Sequence, residues 1–307
     1  MRFLANIFSF VCFAAIMGIV LIFMVFQYYS KDLPDYSILK DYQPPILTRF
    51  YADDGSMLAT IAAERRVFVP IEVIPPLVRS AFLAAEDQNF YTHPGIDLFG
   101  VLRAAIMNAK NIGTGRRPMG ASTITQQVAK NMLLTNEVSI SRKVKEVILA
   151  RRIEQSLSKD RILEIYLNEI FLGKRSYGVA QASMNYFNKS LDELTLAEAA
   201  YLAALPKAPN NYHPTRHYNA AVERRNWVLD RMAINNMITR KEAELTKELP
   251  LEIFSRDKAR IVLGGSYFTE EVRRTLVEEL GEDAVLKGGL TVKTSLDPTL
   301  QKAATDA

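Results

Sequence analysis

The sequence predicts a mainly α-helical fold with an N-terminal transmembrane helix and a short β-hairpin, and three observations carry that reading. Phe3 to Phe26 holds no charged residue over 24 positions, which as a helix rising roughly 1.5 Å per residue covers a bilayer core of about 30 Å. From Pro75 to about Arg240, apolar residues recur at helical spacing between recognisable starts and stops. "ILTRFYADDGSMLATIA", Ile46 to Ala62, alternates as strands do, with Asp54-Gly55 at its centre to make the turn.

At 307 residues, 49% hydrophobic and 23% charged, the chain is long enough for one large domain or two smaller ones, and its composition excludes a disordered protein. The one cysteine, Cys12, lies in the apolar run. That excludes a disulfide framework and a cysteine-held metal.

The elements follow in order. "QYYSKDLPDYS", behind the apolar run, offers no small-x-small cleavage site, so the segment reads as an anchor rather than a removable signal peptide. Arg2 precedes the span, while residues 31–55 carry three Lys/Arg against five Asp. The N-terminus is therefore expected in the cytoplasm and the rest outside, with Tyr28 and Tyr29 at the interface. The hairpin then forms a small sheet near the membrane. Pro75-Pro76 opens a helix reaching Glu86. Thr123 with Gln126 and Thr195 with Glu198 have capping-box spacing, and Gly173 and Pro206 are stop signals. Residues 111–120 and 206–219 read as loops, the stretch "GTGRRPMG" as a mobile one. Past Arg260 come a helix near 268–280 and the strand-like "LTVKTSL". The expected division is an anchor with its flanks over 1–30, a main domain over 31–265, and the start of a linker over 266–307.

The net charge of +4 hides an uneven distribution. Arg103 to Arg161 contains twelve Lys/Arg against four acids, a local +8, and no acid lies between Asp97 and Glu137. Such a block is a solvated face or a binding surface for nucleic acid or anionic head groups. For a chain tethered outside a membrane, a phosphate-bearing lipid is the expected partner, and no nucleic acid is.

Three stretches could do chemistry. In "AAEDQNFYTHPG", Ala84 to Gly95, helical geometry puts Glu86 in line with Val78 and Phe82, on the apolar stripe, while Asp87 points about 100° away. Burial of a carboxyl against apolar neighbours raises its pKa, as a general base working near neutrality requires. On these residues alone, a plain helix end is the better account of Glu86. In "GASTITQQVAKN", Gly120 to Asn131, Ser122 and Thr123 cap a helix whose first N–H groups make an anion site, and Thr123, Gln126, Gln127 and Lys130 recur at helical spacing. In "SRKVKEVILARRIE", Arg142, Lys143 and Glu146 hold a carboxylate beside two cations on one turn. Beside a diphosphate those cations could stabilise a leaving group, and the acid could hold a metal or a cation.

Other signals carry less. Ser-x-x-Lys occurs at Ser37, Ser156 and Ser255 with no Lys-Thr-Gly to match it. Pro214 breaks the helix that would align His213 with His217 as metal ligands. "GTGRRPMG" lacks the GxxxxGK of a nucleotide loop.

Together, "EDQNFYTHPG", "GASTITQQVAKN", "RKVKEVILARRIE", "RILEIYLNEIFLG" and "LTLAEAAYLAALPKAPNNYHP" resemble, in order, the five motifs of the peptidoglycan glycosyltransferases of class A penicillin-binding proteins and monofunctional transglycosylases. They span about residues 86–215. "SYFTEEVRRTL" and "GGLTVKTSLDPTLQ" resemble the linker of the 1A type that leads to a transpeptidase. The sequence stops in that linker, so penicillin binding is not expected. The resemblance implies a lysozyme-like fold with large and small lobes, and polymerisation of lipid II into glycan strands by an inverting transfer that releases undecaprenyl diphosphate. It implies Glu86 as general base, with Asp87, Phe90 and His93 around it. It implies that Ser122, Thr123, Gln126, Gln127, Lys130, Arg142 and Lys143 bind diphosphate and sugars. Glu146 would assist with a divalent metal, Mg²⁺ or Mn²⁺, or with a cation; no covalent cofactor is implied. The fourth and fifth motifs look structural, with Asn168 as a polar brace. The implied partners are lipid II, the growing glycan chain, membrane lipids and cell-wall synthesis proteins. The implied place is the outer face of a bacterial cytoplasmic membrane, and the implied inhibitor is moenomycin. A lysozyme-like hydrolase or lyase has no use for the basic block or an anchor, and a non-catalytic scaffold none for Glu86 and Glu146. Products formed from lipid II against those from finished glycan separate the three.

Overall fold

The structure, a computed structural model, describes residues 2–40, 42, 48–61, 67–113, 120–135, 137, 139–254, 266–287 and 289–306. In chain order these form α1 (Arg2–Tyr29), β1 (Thr48–Tyr51), β2 (Met57–Ile61), α2 (Pro76–Glu86), α3 (Leu98–Lys110), α4 (Ile124–Leu133) and α5 (Ile140–Ser156). Then come α6 (Lys159–Glu169), α7 (Val179–Phe187), α8 (Leu196–Ala204), α9 (Tyr218–Ile234), α10 (Arg240–Lys247), α11 (Ser266–Leu280), α12 (Glu282–Lys287), β3 (Thr291–Lys293) and α13 (Pro298–Asp306). The chain is mainly helical, as expected, with one small sheet. Residues 114–119, the arginine-bearing part of the expected mobile loop, lie outside the described residues.

Contacts divide the chain into two units, one from Met1–Asp41 with Asn89–Ile162 and one from Tyr42–Gln88 with Leu163–Ala307. In the first, α1 runs 28 residues. Among the described residues, however, no helix is long and apolar enough to cross a membrane. The expected transmembrane span is therefore not found among the described residues, and many side chains along α1 lie outside them. Those described include exposed Phe10, Phe13, Met17, Leu21 and Phe23. Asp97 caps α3, accepting from the Gly100 N–H at 2.9 Å. Yet α3 buries only Gly100 and Ala104.

The second unit is organised around α8, which buries seven of its nine residues, Tyr201 among them. Its start is the Thr195–Glu198 capping box. Both α2 and α9 pack on it and on each other. α2 starts with Pro76 in its first turn and buries Val78, Ala81, Phe82 and Ala84. The Asn168 side chain accepts from the Val69 N–H at 2.8 Å and donates to the Val69 carbonyl at 2.9 Å. Glu164 accepts from the Ile71 N–H at 2.8 Å. These two residues of α6 supply partners to backbone that no regular element satisfies, which makes Asn168 the brace that was expected.

The hairpin turns at Gly55, at φ +79°, where glycine carries no steric penalty. It is not a two-stranded sheet standing alone: β3 pairs parallel to β1, giving the order β2-β1-β3. Thr48 ties the join, its hydroxyl donating to the Val285 carbonyl at 2.6 Å and accepting from the Leu290 N–H at 3.1 Å. Phe50, Ala52, Leu58 and Leu296 form the core beneath, with Phe268, Val272 and Leu276 packed on it from α11. Those three recur every four residues, one face of a helix.

Candidate functional site

Each unit holds part of the sequence-predicted site. In the unit of Tyr42–Gln88 and Leu163–Ala307, α2 ends on Glu86, with Asp87 at its C-cap. Val78 and Phe82, two turns and one turn earlier, are fully buried, so Glu86 continues the apolar stripe as its spacing predicts and emerges half-buried. Asp87 is the more buried of the two at 6% exposure. That inverts the simplest expectation, because the backbone leaves the helix at Asp87, with φ −159°, and turns it inward.

Two neighbours of these acids were not singled out from sequence. Tyr166 of α6 lies edge-on to Phe82, 6.4 Å between ring centroids, and its hydroxyl is buried without a hydrogen-bond partner. Burial pushes its phenol well above the ordinary value, and the charges of Glu86 and then Asp87 push the same way, so it stays protonated. Arg224 of α9 stacks on Trp227 at 3.7 Å. Burial pushes its pKa down, and Tyr212 and the Glu86 carboxylate oppose that. Neither residue stands near Glu86 in sequence, so no local pattern could have found them.

In the other unit, α4 begins with the predicted box. The Thr123 N–H donates to Gln126 Oε1 at 3.0 Å, and the Gln126 N–H donates to the Thr123 hydroxyl at 3.2 Å. The hydroxyl in turn donates to the Gly95 carbonyl at 2.7 Å. Thr123 and Gln126 are thus buried and committed to each other and to the first motif, whereas Ser122, Gln127 and Lys130 are half-buried. Gly95 is required here: its φ is +95°, and a Cβ would lie 2.9 Å from the Ala150 carbonyl of α5. His93 accepts at Nδ1 from the Gly95 N–H at 3.1 Å, and Phe90 packs edge-on to its ring. Lys159 fastens this turn, donating to the His93 carbonyl at 2.7 Å, pairing with Glu154 at 2.7 Å and lying 4.4 Å from the Phe90 ring centroid. Glu154 also accepts from Thr125 at 2.6 Å. Sequence reading had placed neither Lys159 nor Glu154 in the site.

On α5 the predicted triad forms. Arg142 Nη1 reaches Glu146 Oε1 at 2.5 Å, and Lys143 Nζ reaches Oε2 at 2.8 Å. Lys143 also donates to the Ser122 hydroxyl at 2.7 Å, joining the second and third motifs. Glu146 is 3% exposed, a buried carboxylate with one cation on each oxygen. Arg142 Nε is buried without a partner. For a metal the fit is poor. Among the described residues no group of three His, Cys, Asp or Glu could hold one, and the groups on Glu146 are cations.

The sequence matches the family model of the transglycosylases over residues 54–233. It is 47% identical over 293 residues to penicillin-binding protein 1A of Rickettsia bellii, covering 95% of this chain and 37% of that one. It is 45% identical over 292 residues to penicillin-binding protein 1A of Neisseria gonorrhoeae, covering 94% of this chain and 36% of that one. The structure resembles the crystal structure of penicillin-binding protein 1A from Haemophilus influenzae, with a TM-score of 0.51 and 27% identity over 86% of this chain and 29% of that one. The chain spans little more than a third of the length of the curated relatives it matches.

Proposed function

On the premise that the chain belongs to the transglycosylase family, we propose that it polymerises lipid II into peptidoglycan glycan strands by an inverting transfer. Glu86 takes the proton from the 4-hydroxyl of the acceptor sugar. The oxygen forms a bond to the anomeric carbon of the growing chain, and the bond from that carbon to the diphosphate breaks. Undecaprenyl diphosphate leaves with the electron pair, and the linkage changes from α to β. Lys130, Arg142 and Lys143 bind the departing charge, with Ser122 and Gln127 as donors beside them. Thr123, Gln126, Phe90 and His93 hold the cation-bearing part in shape, and Asp87 flanks the base on its own unit. Glu146 orients both cations.

One observation carries this reading over hydrolysis of finished glycan. The family domain holds both a half-buried glutamate at a helix end and a buried carboxylate that fixes two cations, and diphosphate departure needs the second as well as the first. Work at a bilayer surface, on the outer face of the cytoplasmic membrane, is part of the proposal. Leu98, Phe99, Leu102 and Ile106 of α3 are all exposed, as are the aromatic residues along α1, and such faces suit acyl chains better than water. Other cell-wall synthesis proteins would meet the chain there.

The test is incubation of the purified chain with lipid II in phospholipid and detergent. Long glycan strands with released lipid diphosphate, blocked by moenomycin, are expected. Cleavage of finished glycan with no strand made from lipid II would overturn the reading.

A further inference from the structure

In the unit of Met1–Asp41 and Asn89–Ile162, a closed ring of hydrogen bonds joins the first motif to the second through residues to which no role has been given. Two carbonyls of the His93-Pro94-Gly95 turn are each held by one donor. Lys159 Nζ donates to that of His93 at 2.7 Å, and the Thr123 hydroxyl donates to that of Gly95 at 2.7 Å. The ring closes behind them on a single carboxylate oxygen: Glu154 Oε1 accepts from Lys159 at 2.7 Å and from the Thr125 hydroxyl at 2.6 Å. Thr125 stands two residues beyond Thr123, in the first turn of α4. The path therefore runs from the turn through Lys159, Glu154 and Thr125 and back along α4. An ammonium has three N–H groups; two of those on Lys159 go to oxygen, and the same Nζ lies 4.4 Å from the Phe90 ring centroid. Lys159 is also the first residue of α6, where the helix dipole disfavours a cation, so its place serves the ring rather than its own helix. With side chains 7% and 21% exposed, Glu154 and Lys159 form an internal pair. Their effect on a reaction passes through what they hold.

We infer that Thr125, Glu154 and Lys159 are positioning residues for the proposed diphosphate site. The ring fixes the first turn of α4 against the first-motif turn. Ser122 immediately precedes that helical turn and accepts from Lys143 at 2.7 Å, while Glu146 holds the same ammonium from α5 at 2.8 Å. Opening the ring frees the start of α4, and with it the hydroxyl that fixes one side of Lys143. The diphosphate then binds less well, while the proton-transfer step keeps its rate.

The inference rests on the proposed activity on lipid II, so the experiment reads both. kcat and KM for lipid II polymerisation are measured beside thermal melting for the wild type, Thr125→Ser, Thr125→Val, Lys159→Met and the double variant Thr125→Val with Lys159→Met. Thr125→Val keeps the shape and loses the hydroxyl, whereas Thr125→Ser keeps the hydroxyl and loses the methyl. Lys159→Met should raise KM about tenfold and Thr125→Val about threefold, each with kcat within about twofold of the wild type, and Thr125→Ser should stay close to wild type. Because both changes open one ring, the double variant should raise KM no further than Lys159→Met alone. If Lys159→Met does not fold, the two Thr125 variants carry the test. A loss confined to melting temperature, a fall in kcat at unchanged KM, Thr125→Ser as harmful as Thr125→Val, or effects that multiply in the double variant would overturn the inference and leave the proposed function standing. A wild type that makes no strand from lipid II overturns both.

Discussion

The acid at the end of α2 and the acid in the middle of α5 are built in contrasting ways. Glu146 is almost wholly buried and has a cation on each oxygen, from residues three and four positions away. Glu86 is half-buried at a helix end, and its charge is felt by Arg224, on a helix far along the chain. With both oxygens held by cations and the side chain out of water, the Glu146 carboxylate is not presented to a substrate hydroxyl. Glu146 therefore suits holding cations in place, and Glu86 suits chemistry.

Substitutions sharpen or break that contrast. The largest effect is expected at Glu86: Glu86→Gln should slow polymerisation by about a thousandfold, within the range for a general base, with an unchanged melting temperature. Glu146→Gln should act on stability as well, costing about 3 kcal/mol in denaturant unfolding, because it leaves two cations without their buried counter-charge. The double change Arg142→Met with Glu146→Leu should regain part of that stability without regaining activity, which would separate the fold's need for the triad from the reaction's. Gly95→Ala should cost about 2 kcal/mol, since its Cβ would meet the Ala150 carbonyl at 2.9 Å and φ is +95°; a melting curve reads it. The smallest effect concerns pH. Burial raises the Asp97 carboxyl, but the Gly100 N–H, the Asn89 amide and nearby cations outweigh it and hold the pKa below its ordinary value. Its contribution is thus present above the unfolded value of about 4 and lost as pH falls through the lower folded one. Asp97→Ala should remove about 1 kcal/mol at pH 7 and flatten the acid limb of the stability curve.

What was legible in the sequence follows the same divide between near and far. Both capping boxes, the stripe Val78–Phe82–Glu86 and the Arg142–Lys143–Glu146 turn depend on residues within eight positions, and the structure forms each of them. Helical periodicity is enough to read such patterns. Features built from distant residues escaped it, Tyr166 beside the α2 acids among them. β3 joins β1 across a separation of 242 residues, and no local alternation encodes a partner so distant. Lys159 and Glu154 fasten the first motif through a backbone carbonyl and a threonine, contacts that carry no sequence signature. Asp87 is turned inward by a backbone angle after the helix ends, where periodicity no longer applies.

The central claim is a division of labour between Glu86 and the α5 cations, and it is tested most directly by measuring binding and turnover separately. Affinity for a lipid diphosphate substrate and single-turnover rate would be compared for Glu86→Gln and Lys143→Gln. The account predicts that Glu86→Gln binds as the wild type does and fails to turn over, while Lys143→Gln loses affinity first. Wild-type turnover in Glu86→Gln would contradict it.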